Sequence, residues 1–209
     1  AIGLLSPCDY GQKIELCEGI EIRFNDVGHL LGSASIEVWI TEEGISKKIV
    51  FSGDVGNIDQ PILNDPSEVK EADYIVIEST YGNRLHSEEK PDYLGEFTRI
   101  LRETFLKGGN VVIPSFAVGR TQEILYFIRE IKGQNLLPEF PNFEVYVDSP
   151  LATEATNVFT KNGRACYDAE ALKLIEKGVN PLVFPGLKLS VTSDDSKLIN
   201  FDANPKVII

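Results

Sequence analysis

Hydrophobic and polar residues alternate with a period of two in the first part of the chain. In the segment IEIRF, the apolar residues Ile20, Ile22 and Phe24 alternate with charged ones, which predicts a strand with one buried face. The segment SIEVWI alternates in the same way, and KKIVFS follows it after the turn sequence TEEG. We therefore expect residues 35–52 to form a β-hairpin.

From about residue 70, short apolar runs alternate with helical patterns. The run YIVI precedes a helical stripe in which Pro91 suits the first turn and Gly108 suits the C-terminal cap. VVIP and FEVYV each precede another helical pattern, and Asp168 is a candidate N-cap. The expected helices are near 91–106, from about Thr121, near 150–161, and from Asp168 through Glu176. Strands that alternate with helices predict an α/β fold with a mainly parallel sheet flanked by helices.

Polar side chains follow four of the apolar runs, at the point where each strand is expected to end. These residues are Asp54, Glu78, Ser115 and Asp148. In open α/β sheets, ligand sites lie beyond the carboxyl ends of the strands. A single residue of this kind is more often a helix cap or a turn residue, but four together favour a site.

His29 is one of only two histidines in the chain, and it lies in the loop sequence DVGHLLGS between two predicted strands. Imidazole nitrogen and carboxylate oxygen both bind borderline metals, so His29 and Asp54 are a candidate metal pair. The alternative is a hydrogen-bonded structural histidine, which is the more frequent role of a single histidine in a turn. Two ligands also do not complete a zinc shell of four.

Basic residues in two loops are candidates for phosphate binding. Arg84 and His86 follow the strand YIVI after a short loop, and an arginine can hold a phosphate through two parallel hydrogen bonds. Arg120 opens a predicted helix, where its side chain and the backbone amides can hold an anion together. The alternatives are a solvated loop for the first pair and an ordinary helix start for Arg120.

Composition and charge narrow the classes of function. The chain has 209 residues and a formal net charge of −12, which disfavours non-specific binding of polyanions. Three cysteines without a CxxC spacing indicate free thiols in a reducing, cytoplasmic compartment. No apolar run approaches the roughly 18 residues that a membrane span requires, and no secretory signal is visible. We therefore expect a globular protein that acts away from the membrane.

Two features predict that the chain is part of a longer protein. It contains no methionine, and it stops in the apolar run KVII, at 206–209, without a turn or a cap after it. A buried strand that ends in this way usually continues in the parent gene. The alternative is a short C-terminal edge strand.

Five longer blocks of the sequence occur in an order that is far more specific than any one short motif. The blocks are FNDVGHLLGSASIEVW, KIVFSGDVG, YIVIESTYGNRLH, VVIPSFAVGRTQEILYFI and VYVDSPLA. They resemble the β-CASP branch of the metallo-β-lactamase-fold hydrolases, which are nucleic-acid-processing enzymes that include ribonucleases. The resemblance covers about residues 10 to 209. It implies part of a metallo-β-lactamase αββα fold at 1–80, followed by an inserted β-CASP domain at 81–209.

The resemblance also implies roles for individual residues. His29 would bind one zinc ion, Asp54 would bridge two zinc ions, and Glu78 would support the site from beside the metals. The expected catalytic residues are Asp54 and Glu78. The expected substrate contacts, which would face a cleft between the two domains, are Arg84, His86, Ser115 and Arg120. The family chemistry is hydrolysis of a phosphodiester, in which two metals activate the attacking water and neutralise the developing charge.

The family's first zinc motif, HxHxDH, and its late histidines are absent, because the chain has only two histidines. We therefore expect the chain to be the middle of such a protein, with an incomplete two-zinc site and little or no nuclease activity. RNA is the expected partner of the complete protein. A second copy of the protein, in a homodimer, is a further candidate partner.

Two other functions of different classes stay open. One is a non-catalytic binding or scaffold module that keeps only the fold, which a parent without HxHxDH would favour. The other is a metallo-β-lactamase-fold hydrolase of another substrate, such as a thioester or a lactone. The blocks ESTYG and PSFAVGR argue against the second, because they match the inserted domain.

Overall fold

The computed structural model describes residues 2–85 and 91–209, and the chain divides into two compact units, 1–85 and 86–209. The predicted boundary lies after residue 80, and the assignment of each unit to a family domain stays a prediction. Sheets and helices occur together, so the predicted α/β class is confirmed.

The first unit contains a five-stranded sheet in the order β1-β2-β3-β4-β5. Its strands are β1 (Lys13–Cys17), β2 (Ile20–Asp26), β3 (Ala34–Glu42), β4 (Ile45–Phe51) and β5 (Tyr74–Val76). The first four are antiparallel, and β5 pairs with β4 in parallel. The predicted hairpin is therefore present as β3 and β4. Within residues 2–85 the only helix is a 3₁₀ turn at Ile2–Leu4, so the helical layers of an αββα fold are not seen there.

Burial in this sheet differs from the burial that the alternating pattern predicted. Ile20, Ile22 and Phe24 are only half-buried, because no α-helix within residues 2–85 covers their face. The most deeply buried side chain of β3 belongs to Glu37, which is 1 % exposed. Ion pairs with Arg23 and Lys48 compensate this carboxylate.

The second unit contains a four-stranded sheet in the order β6-β9-β7-β8, in which all pairs are parallel. Its strands are β6 (Val111–Val112), β7 (Glu144–Val147), β8 (Leu187–Leu189) and β9 (Lys206–Ile208). The α-helices described within 91–209 are α1 (Tyr93–Leu106), α2 (Arg120–Gly133), α3 (Pro150–Asn162), α4 (Ala169–Glu176) and α5 (Ser193–Ile199). The run KVII forms β9 between β6 and β7, so the edge-strand alternative is wrong.

Local capping chemistry explains where the predicted helices begin and end. Helix α1 begins at Tyr93, two residues later than expected, because Asp92 is its N-cap and accepts the Gly95 N–H at 2.9 Å. Pro91 therefore lies before the helix and not in its first turn. Asp168 caps α4 as predicted and accepts the Ala171 N–H at 2.7 Å. The strands and α-helices that the pattern did not predict are β1, β8 and α5, which are only three to seven residues long.

The core of the second unit is formed by apolar side chains from its helices and its central strands. Those that are fully buried include Leu101, Leu125, Ile128, Ile131, Val145, Val147, Leu182 and Val207. Because β7 and β9 are covered on both faces, they read as continuous apolar runs and not as alternating ones. Among the described residues, no helix combines the length and the apolar character that crossing a membrane requires.

Candidate functional site

The loop after β2 is held in one conformation by hydrogen bonds from side chains to its backbone. Asp26 is buried, and its Oδ1 accepts the Gly28 N–H at 2.9 Å. Ser33 Oγ accepts the N–H groups of His29 at 3.2 Å and Leu30 at 3.1 Å. Gly28 has φ 60°, a conformation that glycine adopts without strain. The loop therefore presents the exposed His29 side chain from a fixed backbone.

The loop after β4 packs directly against the His29 loop. The Gly56 N–H donates to the Val27 carbonyl at 2.8 Å. A Cβ atom on Gly56 would collide with the Gly28 carbonyl and with the His29 backbone nitrogen, so only glycine allows this close approach. Asp54 lies two residues before Gly56, and it is exposed. The two predicted metal ligands thus lie on adjoining loops.

Glu78 links the end of β5 to the Asp54 loop. Its backbone N–H donates to Ser52 Oγ at 2.9 Å, and its Oε1 accepts the Val55 N–H at 3.0 Å. The hydrogen bond from Val55, followed by those from Thr80, lowers the pKa of the Glu78 carboxyl, and the nearby His29 contributes in the same direction. The Glu78 side chain is therefore an ionised carboxylate, and it accepts a hydrogen bond from the backbone of Val55, the residue next to Asp54.

The donor set is of the right type for a metal but is not a complete shell. His29 offers imidazole nitrogen and Asp54 offers carboxylate oxygen, both of which zinc accepts. Within the described part of the chain, no group of three or more His, Cys, Asp and Glu side chains is placed to hold a metal ion. Zinc in proteins usually has four ligands, so His29 and Asp54 can supply only part of a metal site.

The predicted phosphate-binding loop after β5 is described only in part. The Arg84 side chain is exposed and lies over the Tyr81 ring, with its Cζ 4.0 Å from the ring centroid. Its backbone N–H donates to the Tyr81 carbonyl at 3.1 Å. This stacking leaves the edge of the guanidinium as the part that can bind an anion. His86 lies outside the described residues.

The other two predicted substrate contacts lie in the second unit, at the start of α2. Ser115 Oγ is 2.8 Å from Thr121 Oγ1, and Arg120 is the first residue of the helix. Arg120 forms an ion pair of 2.6 Å with Glu123. Both side chains therefore already have partners within their own unit. Their predicted position at a cleft between the two domains stays a prediction.

Asp148, the fourth residue at a predicted strand end, follows β7 directly. Its Oδ2 accepts a hydrogen bond from Ser196 Oγ at 2.8 Å. Its backbone N–H donates to the Ile209 carbonyl at 2.9 Å. These contacts join β7 to β9 and α5. Asp148 therefore has the structural role of a turn residue.

Several residues that shape the site were not identified from the sequence. Ser33 and Ser52 fix the two loops through their hydroxyl groups, and Asp26 fixes the turn before His29. Ser33 and Asp26 lie within four residues of His29, so the side-chain-to-backbone turns that Ser and Asp favour were an available signal. Ser52 acts on Glu78 across 26 residues of sequence, and no local pattern reports such a contact.

A comparison with protein families gives a match for part of the second unit. Residues 121–209 match the Beta-Casp domain. The resemblance to the β-CASP family is thereby confirmed, and the family match itself covers residues 121–209.

Curated relatives match nearly the whole chain. A ribonuclease of Thermus thermophilus is 34% identical over 209 residues, which are 100% of this chain and 46% of that protein. An RNase J-like protein of Methanocaldococcus jannaschii is 31% identical over 96% of this chain and 44% of its own length. An endoribonuclease of Kluyveromyces lactis, YSH1, is 28% identical over 98% of this chain and 26% of its own length. The chain thus spans less than half the length of these relatives.

Proposed function

We propose that the complete protein is a metal-dependent hydrolase that cleaves RNA phosphodiester bonds. One observation carries the proposal: the Glu78 carboxylate accepts the Val55 N–H beside Asp54, in a loop whose Gly56 packs on the backbone of His29. Three sequence blocks that are distant along the chain thus supply an imidazole and two carboxylates to one region. The relatives named ribonuclease and endoribonuclease support RNA as the substrate.

The side chains have distinct roles in this proposal. His29 and Asp54 would hold zinc, His29 through an imidazole nitrogen and Asp54 through carboxylate oxygen. A bound zinc pair supplies Lewis-acid stabilisation of the charge that develops on the phosphate. Glu78 holds the backbone of the Asp54 loop in place through the Val55 N–H, so that the Asp54 carboxylate needs little reorganisation to bind metal.

Contacts with RNA are assigned to the four basic and hydroxyl residues Arg84, His86, Ser115 and Arg120. Arg120 would exchange its ion pair with Glu123 for a phosphate, because bidentate binding of phosphate by a guanidinium is strong. The protein would act in the cytoplasm, since three cysteines without a CxxC spacing suit a reducing compartment.

Zinc content of the purified 209-residue chain tests the metal part of the proposal. Because His29 and Asp54 supply only two of the about four ligands that zinc requires, we expect less than one tightly bound zinc ion per chain and little RNA cleavage. Elemental analysis after gel filtration measures the zinc content. Stoichiometric zinc in the isolated chain would contradict the assignment of a partial site.

Cleavage of a 5′-labelled single-stranded RNA by the complete gene product tests the activity. A chelator should abolish cleavage, and H29A and D54N should each lower the rate by at least about 100-fold. Asp9, which is exposed and has no part in the site, provides the matched control D9N.

Cleavage that resists the chelator, or equal rates for D54N and D9N, would exclude metal-dependent hydrolysis at this site. RNA binding without any cleavage would favour the non-catalytic binding module.

A further inference from the structure

A cavity of about 460 Å³ lies in the second unit, away from the predicted contacts at the start of α2. It is lined by the end of α2, by Pro141, Asn142 and Glu144, and by Val179 and residues 183–186. Its apolar wall consists of Pro141, Val179, Val183, Phe184 and Pro185. Sites for small organic ligands have volumes of about 300–1,000 Å³ and walls that are mostly apolar. The cavity therefore has the size and the wall of a ligand site.

Two of the three charged residues that line the cavity have oppositely charged partners. Arg129 forms an ion pair with Glu130, and its Nε donates to the Pro181 carbonyl at 3.2 Å. Glu144 forms an ion pair of 2.8 Å with Lys188. These two charges are therefore compensated within the protein.

Lys132 is the third charged residue, and its ammonium group has unused donors. Nζ donates to the Phe143 carbonyl at 2.6 Å and lies 3.9 Å from the centroid of the Phe143 ring. Among the described residues, the carboxylate that acts on this Nζ is that of Glu144, which raises the pKa of Lys132 through its charge without forming an ion pair with it. Burial lowers the pKa of Lys132 and outweighs the opposing effect of Glu144, so the charge is compensated only in part. An ammonium group can donate three hydrogen bonds, so two remain for a ligand.

We propose that this cavity binds a small organic anion, with a carboxylate on a flat apolar body. The carboxylate accepts hydrogen bonds from Lys132 Nζ, and the apolar body packs against Phe184, Val183 and Pro185. A carboxylate suits this site because it completes the compensation of the Lys132 charge, while Arg129 and Glu144 already have ion-pair partners of their own. The site is independent of the proposed ribonuclease activity, since it shares no residue with it.

Binding of naphthalene-2-carboxylate to the 209-residue chain tests the proposal, with the neutral naphthalene-2-carboxamide as the matched ligand. Calorimetric titration should show about tenfold tighter binding of the carboxylate. The variant K132M should lower the affinity for the carboxylate about tenfold and leave the affinity for the carboxamide nearly unchanged. The control K161M, which removes an exposed lysine of α3, should behave like the original chain.

A second variant tests the apolar part of the cavity without removing charge. Val183 is half exposed, so V183W is expected to fold and to fill the cavity, which should abolish binding of both ligands. The control V191W changes an exposed valine outside the cavity and should leave binding intact. Equal affinity for the two ligands, or binding that survives V183W, would overturn the proposal. If K132M fails to fold, two other results test the proposal: the effect of V183W on binding, and the preference of the original chain for the carboxylate over the carboxamide.

Discussion

Glu37 shows how a single buried charge is stabilised in the first sheet. Arg23 and Lys48 form ion pairs with its carboxylate, and Asn25 donates a hydrogen bond of 3.0 Å to it. Burial raises the pKa of Glu37, but the hydrogen bonds from these three partners outweigh burial and lower the pKa to about 2. The ionised form of Glu37 therefore stabilises the folded state.

The pH dependence of stability follows from this pKa. Since the pKa is lower in the folded state than the ordinary value of 4.5, the stabilisation is fully present above pH 4.5 and is lost as the pH falls towards about 2. This stabilisation of the folded state amounts to ~3 kcal/mol. The variant E37Q should be less stable at pH 7, and its difference from the original chain should shrink by pH 3.

Urea unfolding followed by the fluorescence of Trp39 measures this difference, because Trp39 is the only tryptophan and lies beside Arg23 and Lys48. The control E21Q removes an exposed ion pair with Lys13, and we expect it to change stability by less than about 1 kcal/mol. A loss in E37Q that is the same at pH 7 and pH 3 would show that the ionised form is not the stabilising one.

At the scale of elements, the candidate site depends on how closely two loops pack. The loop after β4 reaches the loop after β2 only because Gly56 has no side chain. Strand pairing alone does not bring these loops together: β3 separates β2 from β4 in the sheet. The hydrogen bond from Gly56 to Val27 and the bond from Val55 to Glu78 complete the arrangement.

Substitution of Gly56 by alanine tests this packing. The added Cβ meets backbone atoms that cannot rotate away, so G56A should lower the free energy of unfolding of the first unit by about 1–3 kcal/mol. The fluorescence of Trp39 during urea unfolding measures this change in the free energy of unfolding. The control G133A adds a methyl group where nothing lies within 4 Å, at the end of α2, and should not lower stability. Equal stability of G56A and the original chain would mean that the loops separate without cost.

At the scale of the whole molecule, net charge governs how the chain meets a polyanion. The charge of −12 repels RNA at long range, and lower salt strengthens this repulsion. We expect the isolated 209-residue chain to bind a single-stranded RNA more weakly than a Kd of about 10⁻⁴ M, with no gain at low salt. Fluorescence anisotropy at two salt concentrations measures this. Tight binding that weakens steeply with salt would reveal a basic surface that dominates the net charge.

Local sequence patterns were sufficient for most elements. The hairpin of β3 and β4 followed from alternation, and α4 followed from its cap at Asp168, because both signals act over a few residues. The positions of Asp54 and Glu78 at strand ends could be predicted for the same reason. Short elements such as α5 gave too few residues for a periodic signal.

The tertiary structure alone decided which distant residues meet. It buried Glu37 and left Ile22 half-buried, because burial depends on which element covers a face and not on the alternation itself. It placed β9 at the centre of the parallel sheet, since the order of strands depends on chain crossovers that local patterns do not encode. It also joined Glu78 to Val55 across 23 residues of sequence. The sequence by itself determined the local elements and the chemistry at their ends, and long-range packing determined how that chemistry is brought together.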